Sequence, residues 1–150
     1  MKISIGADHG GLEYKEMVKK AFEGKYEFID IGSFELNPLD NYAEIALKVG
    51  EKVQLGESDY GIMICRTGVG AVVAMNKMKG IRAGVLETTQ GVYLARSKND
   101  INCLAFGADN ISIKKAIKIV DVFLNTKFEG GRHNERLATI KNYEDKNFGQ

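Results

Sequence analysis

Apolar residues along this chain follow two periodicities that alternate from end to end. Short, mostly apolar runs at Lys2–Gly6, Tyr26–Ile31, Tyr60–Cys65 and Gly80–Leu86, and the one ending in Cys103–Gly107, have the length and the β-branched or aromatic content of strands. In the third, Ile62, Met63 and Ile64 follow one another without a polar break, as in a strand buried on both faces. Between these runs apolar residues return every three or four positions. Leu12, Met17, Val18, Ala21 and Phe22 make one such stripe, and Ala43, Ala46, Leu47, Val49 and Val53 make a second. Ala71–Lys77 continues the series, followed by Val92, Leu94 and Ala95, and then by Ala116, Ile117, Val120, Phe123 and Leu124.

Punctuation agrees with this reading. Gly24 and Gly56 stop the first two helices, Asp40 or Asn41 can cap the second, Thr88 or Thr89 opens the fourth, and Ser112 opens the fifth. Five strands alternating with helices predict an α/β protein: a single doubly wound, Rossmann-like, three-layer domain over residues 1–150. Its five-stranded sheet is expected to be mostly parallel. A C-terminal helix over about 131–146, through Leu137, Ile140 and Tyr143, completes the chain.

In such a sheet ligands bind in crevices outside the carboxyl ends of the strands, so the loops at that edge are where chemistry is sought. The third strand ends in Cys65 and runs into Arg66-Thr67-Gly68-Val69-Gly70, a loop whose glycines let backbone N–H groups approach an anion closely. The helix start near Gly68 adds partial positive charge, which is expected to favour a thiolate at Cys65, and Arg66 acts the same way with its side chain turned inward. The bland alternative is a small buried hydrophobe at a strand end. The loop lacks Gly-Lys-Ser/Thr and lacks the G-x-G-x-x-G spacing, so it is neither a Walker loop nor a dinucleotide fingerprint. Ala7-Asp8-His9-Gly10-Gly11 opens at the same edge, where Asp8 is either a helix cap or a ligand contact and His9 either a solvated turn residue or a ligand contact. Tyr42, at the start of the second helix, is read as packing or as substrate contact.

Composition narrows the classes of function. A net charge of +1 gives no reason to expect nucleic acid or an anionic membrane as partner, and no apolar run approaches a membrane span. The N-terminus enters a strand at once with no signal-like segment, so a cytoplasmic location is expected. Cys65 and Cys103 both sit in apolar runs without C-x-x-C spacing, which argues against a disulfide framework or a zinc site. With His9 and His133 the only histidines, a histidine-rich metal site is excluded as well. Arg132 and Arg136 stand four apart, on one helix face. They can grip a phosphate, or form a solvated basic face paired with Glu129 or Glu135.

Taken together, Gly6-Ala-Asp-His-Gly10, Cys65-Arg-Thr-Gly-Val-Gly70, Asn99-Asp100 leading into Leu104-Ala-Phe-Gly107, and Glu129-Gly-Gly-Arg-His133 resemble the ribose-5-phosphate isomerase type B family, which also includes galactose-6-phosphate isomerase subunits. The resemblance covers nearly the whole chain. It implies a Rossmann-like fold and an aldose–ketose isomerase that uses no metal or organic cofactor, with Cys65 moving a proton between adjacent carbons through an enediolate. It implies that Thr67, Gly68, Val69 and Gly70 surround the enediolate oxygen, and that Asp8, His9, Tyr42 and Asn99 contact the sugar or its phosphate. It implies further that Arg132 and Arg136 clamp the phosphate of a substrate held by a neighbouring subunit, in a homodimer or homotetramer with shared sites. Ribose 5-phosphate and ribulose 5-phosphate are the default pair; another four- to six-carbon sugar phosphate, or a non-catalytic sugar-phosphate binder, are the alternatives.

The chain departs from the family pattern at four places. Arg66 replaces the usual glycine after the cysteine, and Lys98 replaces a histidine associated with ring opening. Asp109 stands where an arginine contacts the phosphate, and Asn41-Tyr42-Ala43 replaces aspartate, tyrosine, proline. A coherent account is that Arg66 or Lys98 supplies the positive charge that Asp109 does not give, so that Lys98 belongs with the catalytic residues and Arg66 and Asp109 with the substrate-binding ones.

Overall fold

The apolar runs fold as strands of one five-stranded sheet in the computed structural model, which describes residues 1–149. In chain order the elements are β1 (Lys2–Ala7), α1 (Leu12–Ala21), β2 (Glu27–Gly32), α2 (Tyr42–Gln54), β3 (Tyr60–Cys65), α3 (Val69–Met75), β4 (Ala83–Val85), α4 (Thr89–Asn99), β5 (Cys103–Gly107), α5 (Ile113–Asn125) and α6 (His133–Asn147). Strand order is β2-β1-β3-β5-β4, and every pairing is parallel, where the sequence led us to expect a mostly parallel sheet.

The run at the centre of the sheet explains why no alternation was visible in it. Ile62 and Ile64 point into a core built with Ile3, Ile5, Val18, Leu104, Phe106, Val120 and Phe123, beneath α1, α4 and α5. Met63 and Cys65 point the other way, into a second core with Ala46, Val49, Ala71, Met75 and Ala105 beneath α2 and α3. Both faces are covered, so both sets of positions are apolar. The chain proceeds from β1 outward to β2 on one side and returns to β3 on the other, which makes the gap between the ends of β1 and β3 the topological switch point.

The fourth strand is shorter than its apolar run suggests. Only Ala83–Val85 joins the sheet, on its edge, because side-chain amides take over the bonding of the residues before it. Asn102 accepts from the Arg82 N–H at 2.8 Å and donates to the Gly80 carbonyl at 2.9 Å, while Asn76 accepts from the Ala83 N–H at 2.8 Å.

A lysine holds the opposite side together. Lys15, on α1, is fully buried, and its ammonium donates to Asp30 at 2.8 Å and to the Ser33 carbonyl at 2.6 Å. Burial alone would raise the Asp30 pKa, yet hydrogen bonds from Lys15, Lys19 and the Gly32 N–H outweigh it and hold the carboxyl below its ordinary value. This cluster anchors the start of the connection that brings Asp40 to His9.

Helix α6 stands apart from both layers and buries none of its residues. Its carboxyl end is tied to the turn before β4 by Glu144, which accepts from the Gly80 N–H at 3.2 Å, and by the Lys79–Asp145 ion pair at 2.9 Å. The stretch leading into it is fixed where the Glu129 N–H donates to Ser97 O at 2.9 Å, in the last turn of α4. Both attachments lie at the amino edge of the sheet. Among the described residues no helix is long and apolar enough to cross a membrane.

Candidate active site

At the switch point the ends of β1 and β3 are stitched together, since the Asp8 N–H donates to the Ile64 carbonyl at 3.3 Å. This brings the Asp8–His9 turn against the cysteine loop, and with α2 they enclose a cavity of about 360 Å³ lined by Asp8, His9, Tyr42, Cys65, Arg66, Thr67 and Gly70. Seven residues singled out from the sequence therefore share one wall-to-wall space, on the edge where an open parallel sheet binds its ligands.

The loop after β3 folds around the sulfur. Gly68 has φ of +83°, a left-handed backbone that suits glycine, and it packs directly on the backbone of Phe106. In that conformation its N–H points back at Cys65 Sγ, 3.2 Å away. The Val69 N–H turns to Thr67 Oγ1 at 3.4 Å, so the Thr67 hydroxyl accepts from the backbone and keeps its own proton to donate. Gly70 has the Tyr42 ring against its Cα, leaving no room for a side chain, which places Tyr42 over the cavity as a wall.

Cys65 is 5% exposed, and the expectation of a depressed thiol pKa is overturned. Burial raises it and the nearby Asp8 carboxylate raises it further, while N–H bonds from Gly68, Thr67 and Ala71 lower it without restoring the ordinary value. Arg66 does not turn inward to help. Its Nε donates to Asp109 Oδ2 at 3.0 Å, so the two departures at 66 and 109 form an ion pair on the cavity rim.

Asp8 is buried, and it does not cap α1, whose first turn has no side-chain cap. Its Oδ1 accepts from the Gly10 N–H at 2.9 Å, and its pKa is raised chiefly by burial, with a further contribution from Asp40. His9 is not simply solvated, since its Nδ1 lies 2.8 Å from Asp40 Oδ1, which places the proton on Nδ1 and leaves Nε2 available. Asp40 is the residue that the sequence did not single out for chemistry. Asn41 caps α2, accepting from the Ala43 N–H at 3.0 Å, and a helix start needs one cap, which leaves Asp40 for His9. Asp40 Oδ2 is buried with no hydrogen-bond partner among the described residues. Asp8, His9 and Asp40 also place one donor atom each within 4.8 Å of one another, although His9 and Asp40 already satisfy each other.

Four of the expected residues lie elsewhere in this chain. Lys98 and Asn99 occupy the last turn of α4, at the amino edge of the sheet, where Asn99 joins Ile81, Leu137, Ile140 and Tyr143 around a different cavity. Arg132 is the residue just before α6, in the N-cap position, and Arg136 follows one turn on, its Nη1 donating to the Arg132 carbonyl at 2.8 Å. Neither arginine has a carboxylate partner among the described residues, so the pairing with Glu129 or Glu135 is not made. The first set of residues opens at the carboxyl edge and the second at the amino edge of the same sheet.

The two cysteines differ as the sequence led us to expect. Cys103 lies within β5 at 0% exposure, with burial pushing its thiol up to about 12, whereas Cys65 opens on the cavity. Iodoacetamide is expected to label Cys65 selectively in the native protein at alkaline pH, read by peptide mass; equal labelling of Cys103 would contradict this placement.

An all-parallel open α/β sheet with a thiol and polar side chains around a cavity at its switch point defines a Rossmann-like α/β protein. The chain belongs to the Ribose/Galactose Isomerase family, whose sequence profile matches residues 3–140. It is 43% identical over 143 residues to the probable ribose-5-phosphate isomerase B of Mycoplasma pneumoniae, covering 95% of this chain and 94% of that one. It is 42% identical over 140 residues to ribose-5-phosphate isomerase B of Escherichia coli, covering 93% of each. Among solved structures, ribose-5-phosphate isomerase B of Clostridium thermocellum superposes with a TM-score of 0.93 at 41% identity, over 97% of this chain and 99% of that one. The enzyme of Mycoplasma genitalium, solved with bound ribulose 5-phosphate, superposes with a TM-score of 0.91 at 36% identity over 95% of both chains.

Proposed function

We propose that this chain is an aldose–ketose isomerase that interconverts ribose 5-phosphate and ribulose 5-phosphate, working as one domain in the cytoplasm. The observation that carries the reading is a thiol held at the switch point by the Gly68 N–H, 3.2 Å from its sulfur, in a cavity that Asp8, His9, Arg66 and Thr67 also line, in a member of this family. In the thiolate form Cys65 takes the C2 proton of the open-chain aldose, and the electron pair moves into the C1–C2 bond as the carbonyl oxygen becomes an enediolate oxygen. The hydroxyl proton on O2 passes to O1, the electron pair on O2 forms the C2 carbonyl, and the thiol returns its proton to C1. The same group serves as base and acid, so no net proton is consumed.

A raised thiol pKa makes the thiolate scarcer at neutral pH but a stronger base once formed, which suits removal of a weakly acidic proton alpha to a carbonyl. Thr67, with its own proton free to donate, and the Gly68-Val69-Gly70 backbone stand around the enediolate oxygens. Asp8, His9 and Tyr42, all lining the cavity, offer acceptors and donors for the sugar hydroxyls, and Asp40 holds His9 from behind.

The cavity of one chain contains no cation besides Arg66, while Arg132 and Arg136 stand without acidic partners at the far edge of the sheet. We infer a homodimer, or a pair of dimers, in which the start of α6 brings Arg132 and Arg136, and the end of α4 brings Lys98 and Asn99, to the cavity of the next subunit. Exposed Val69 and Val73 on α3 and exposed Ile140 and Tyr143 on α6 supply apolar surface for that contact.

Incubation with a panel of four- to six-carbon sugar phosphates is expected to show highest kcat/KM for ribose 5-phosphate and ribulose 5-phosphate. A higher value for a tetrose or hexose phosphate would reassign the substrate. Binding without turnover of any of them would overturn the enzyme reading.

A further inference from the structure

The side chain of Arg66 lines the cavity and, although exposed, is held at two points along its length. Its methylene stem lies directly on Gly10, where a Cβ would collide with Arg66 Cγ, so the stem is held beside the Asp8–His9 turn while the rest of the side chain stays largely exposed. Its Nε is committed to Asp109 Oδ2 at 3.0 Å, while neither terminal Nη atom has a partner among the described residues.

Asp109 is itself held in place. Two residues past the end of β5, its N–H donates to the Arg66 carbonyl at 3.1 Å, and the preceding Ala108 N–H donates to the Cys65 carbonyl at 2.8 Å. The loop after β5 is thus bonded through backbone and side chain to the loop carrying the thiol. An exposed ion pair of two freely rotating side chains contributes little. Here one partner is anchored on the backbone of the other, so pairing fixes a direction.

Building on the isomerase reading, we propose that Asp109 is a positioning residue that aims the Arg66 guanidinium across the cavity mouth, making Arg66 the contact by which this chain itself recognises the phosphorylated end of its substrate. With Nε engaged, the two Nη donors form the fork that suits a phosphate oxygen pair. Asp109 also neutralises part of the charge on Arg66, which opposes anion binding. Both carboxylate and guanidinium are about half exposed or more, so this opposing effect is weakened by solvent, and orientation outweighs it.

The test is an equilibrium binding measurement in a Cys65→Ser background, where ligand is not turned over. Arg66→Gln is expected to weaken ribose 5-phosphate by about ten- to a hundredfold. Asp109→Asn is expected to weaken it by a smaller factor, about three- to tenfold, and the double variant to match Arg66→Gln alone, because Asp109 acts only through Arg66. Arg66→Lys, which has no fork, does not rescue. Melting temperatures of all variants stay near the parent value, since neither side chain is buried. Unchanged or tighter binding in Asp109→Asn, or additive losses in the double variant, would overturn the proposal. Failure of the isomerase reading shows separately, as absence of turnover by the unmodified protein, and leaves these binding constants to decide the Asp109 question.

Discussion

Replacing Cys65 by serine is expected to lower kcat by a factor on the order of 10²–10⁴ while leaving the fold and the affinity for sugar phosphate nearly intact. A serine hydroxyl fits the space of the sulfur and can accept from the same Gly68 N–H, so neither packing nor loop geometry changes much. What is lost is the base, because an alcohol ionises far less readily than a thiol even when three N–H groups point at it. The direction of the Cys65 pKa adds a second signature. The thiol is raised by burial and by Asp8, so the catalytically competent thiolate accumulates only as pH climbs through that raised value. In the unmodified protein kcat/KM should therefore rise with pH above neutrality, and in Cys65→Ser that limb should be absent. Near-normal activity in the serine variant would remove Cys65 from the mechanism.

Substituting both Arg132 and Arg136 by alanine is the second large effect expected, with KM for a phosphorylated substrate rising by about 10²–10⁴ through loss of two charge-assisted contacts. The more informative form of the experiment uses two chains. The cavity around Cys65 opens at the carboxyl edge of the sheet and the arginines stand at the amino edge, so in the proposed dimer each site draws its thiol and its arginines from different subunits. Mixing Cys65→Ser chains with chains lacking both arginines should create dimers with one intact and one doubly defective site. With statistical exchange about a quarter of full activity should return, as two-fold symmetry dictates. If exchange is demonstrated by mass and activity stays absent, the arginines act within their own chain or not on phosphate.

How much of this was legible in the sequence depends on whether a residue's role is set by its neighbours in the chain or by its neighbours in space. The uninterrupted Ile62-Met63-Ile64 announced a strand covered on both faces, and Thr88 and Ser112 marked helix starts that they do cap. The cysteine loop and the Asp8–His9 turn were placed at one edge by the alternation of strands and helices alone, and they do share a cavity. Where spacing failed, a tertiary contact had intervened. Asn102 took hydrogen bonds that an extended Gly80–Arg82 would have made in the sheet, and Asn76 covers the outer edge at Ala83. Lys15 looks like a solvated helix residue until Asp30 and Ser33 arrive from β2 to neutralise and bury it. Asp40 looked like half of a capping pair until His9 claimed it. The Cys65 pKa ran against expectation for the same reason: glycines and a helix start are local signals, whereas the burial and the Asp8 charge that outweigh them come from the fold.

The central claim is that Cys65 moves a proton between two carbons of a sugar phosphate, and solvent exchange measures that step without any coupled assay. With ribose 5-phosphate in D₂O, the unmodified protein should deposit deuterium at C1 of the ribulose 5-phosphate formed and, by the reverse reaction, at C2 of the recovered aldose, as read by proton magnetic resonance. The Cys65→Ser chain, still binding the sugar, should show exchange reduced by the same factor as its turnover. Isomerisation with no deuterium entering either carbon over many turnovers, or undiminished exchange in the serine variant, would contradict this account.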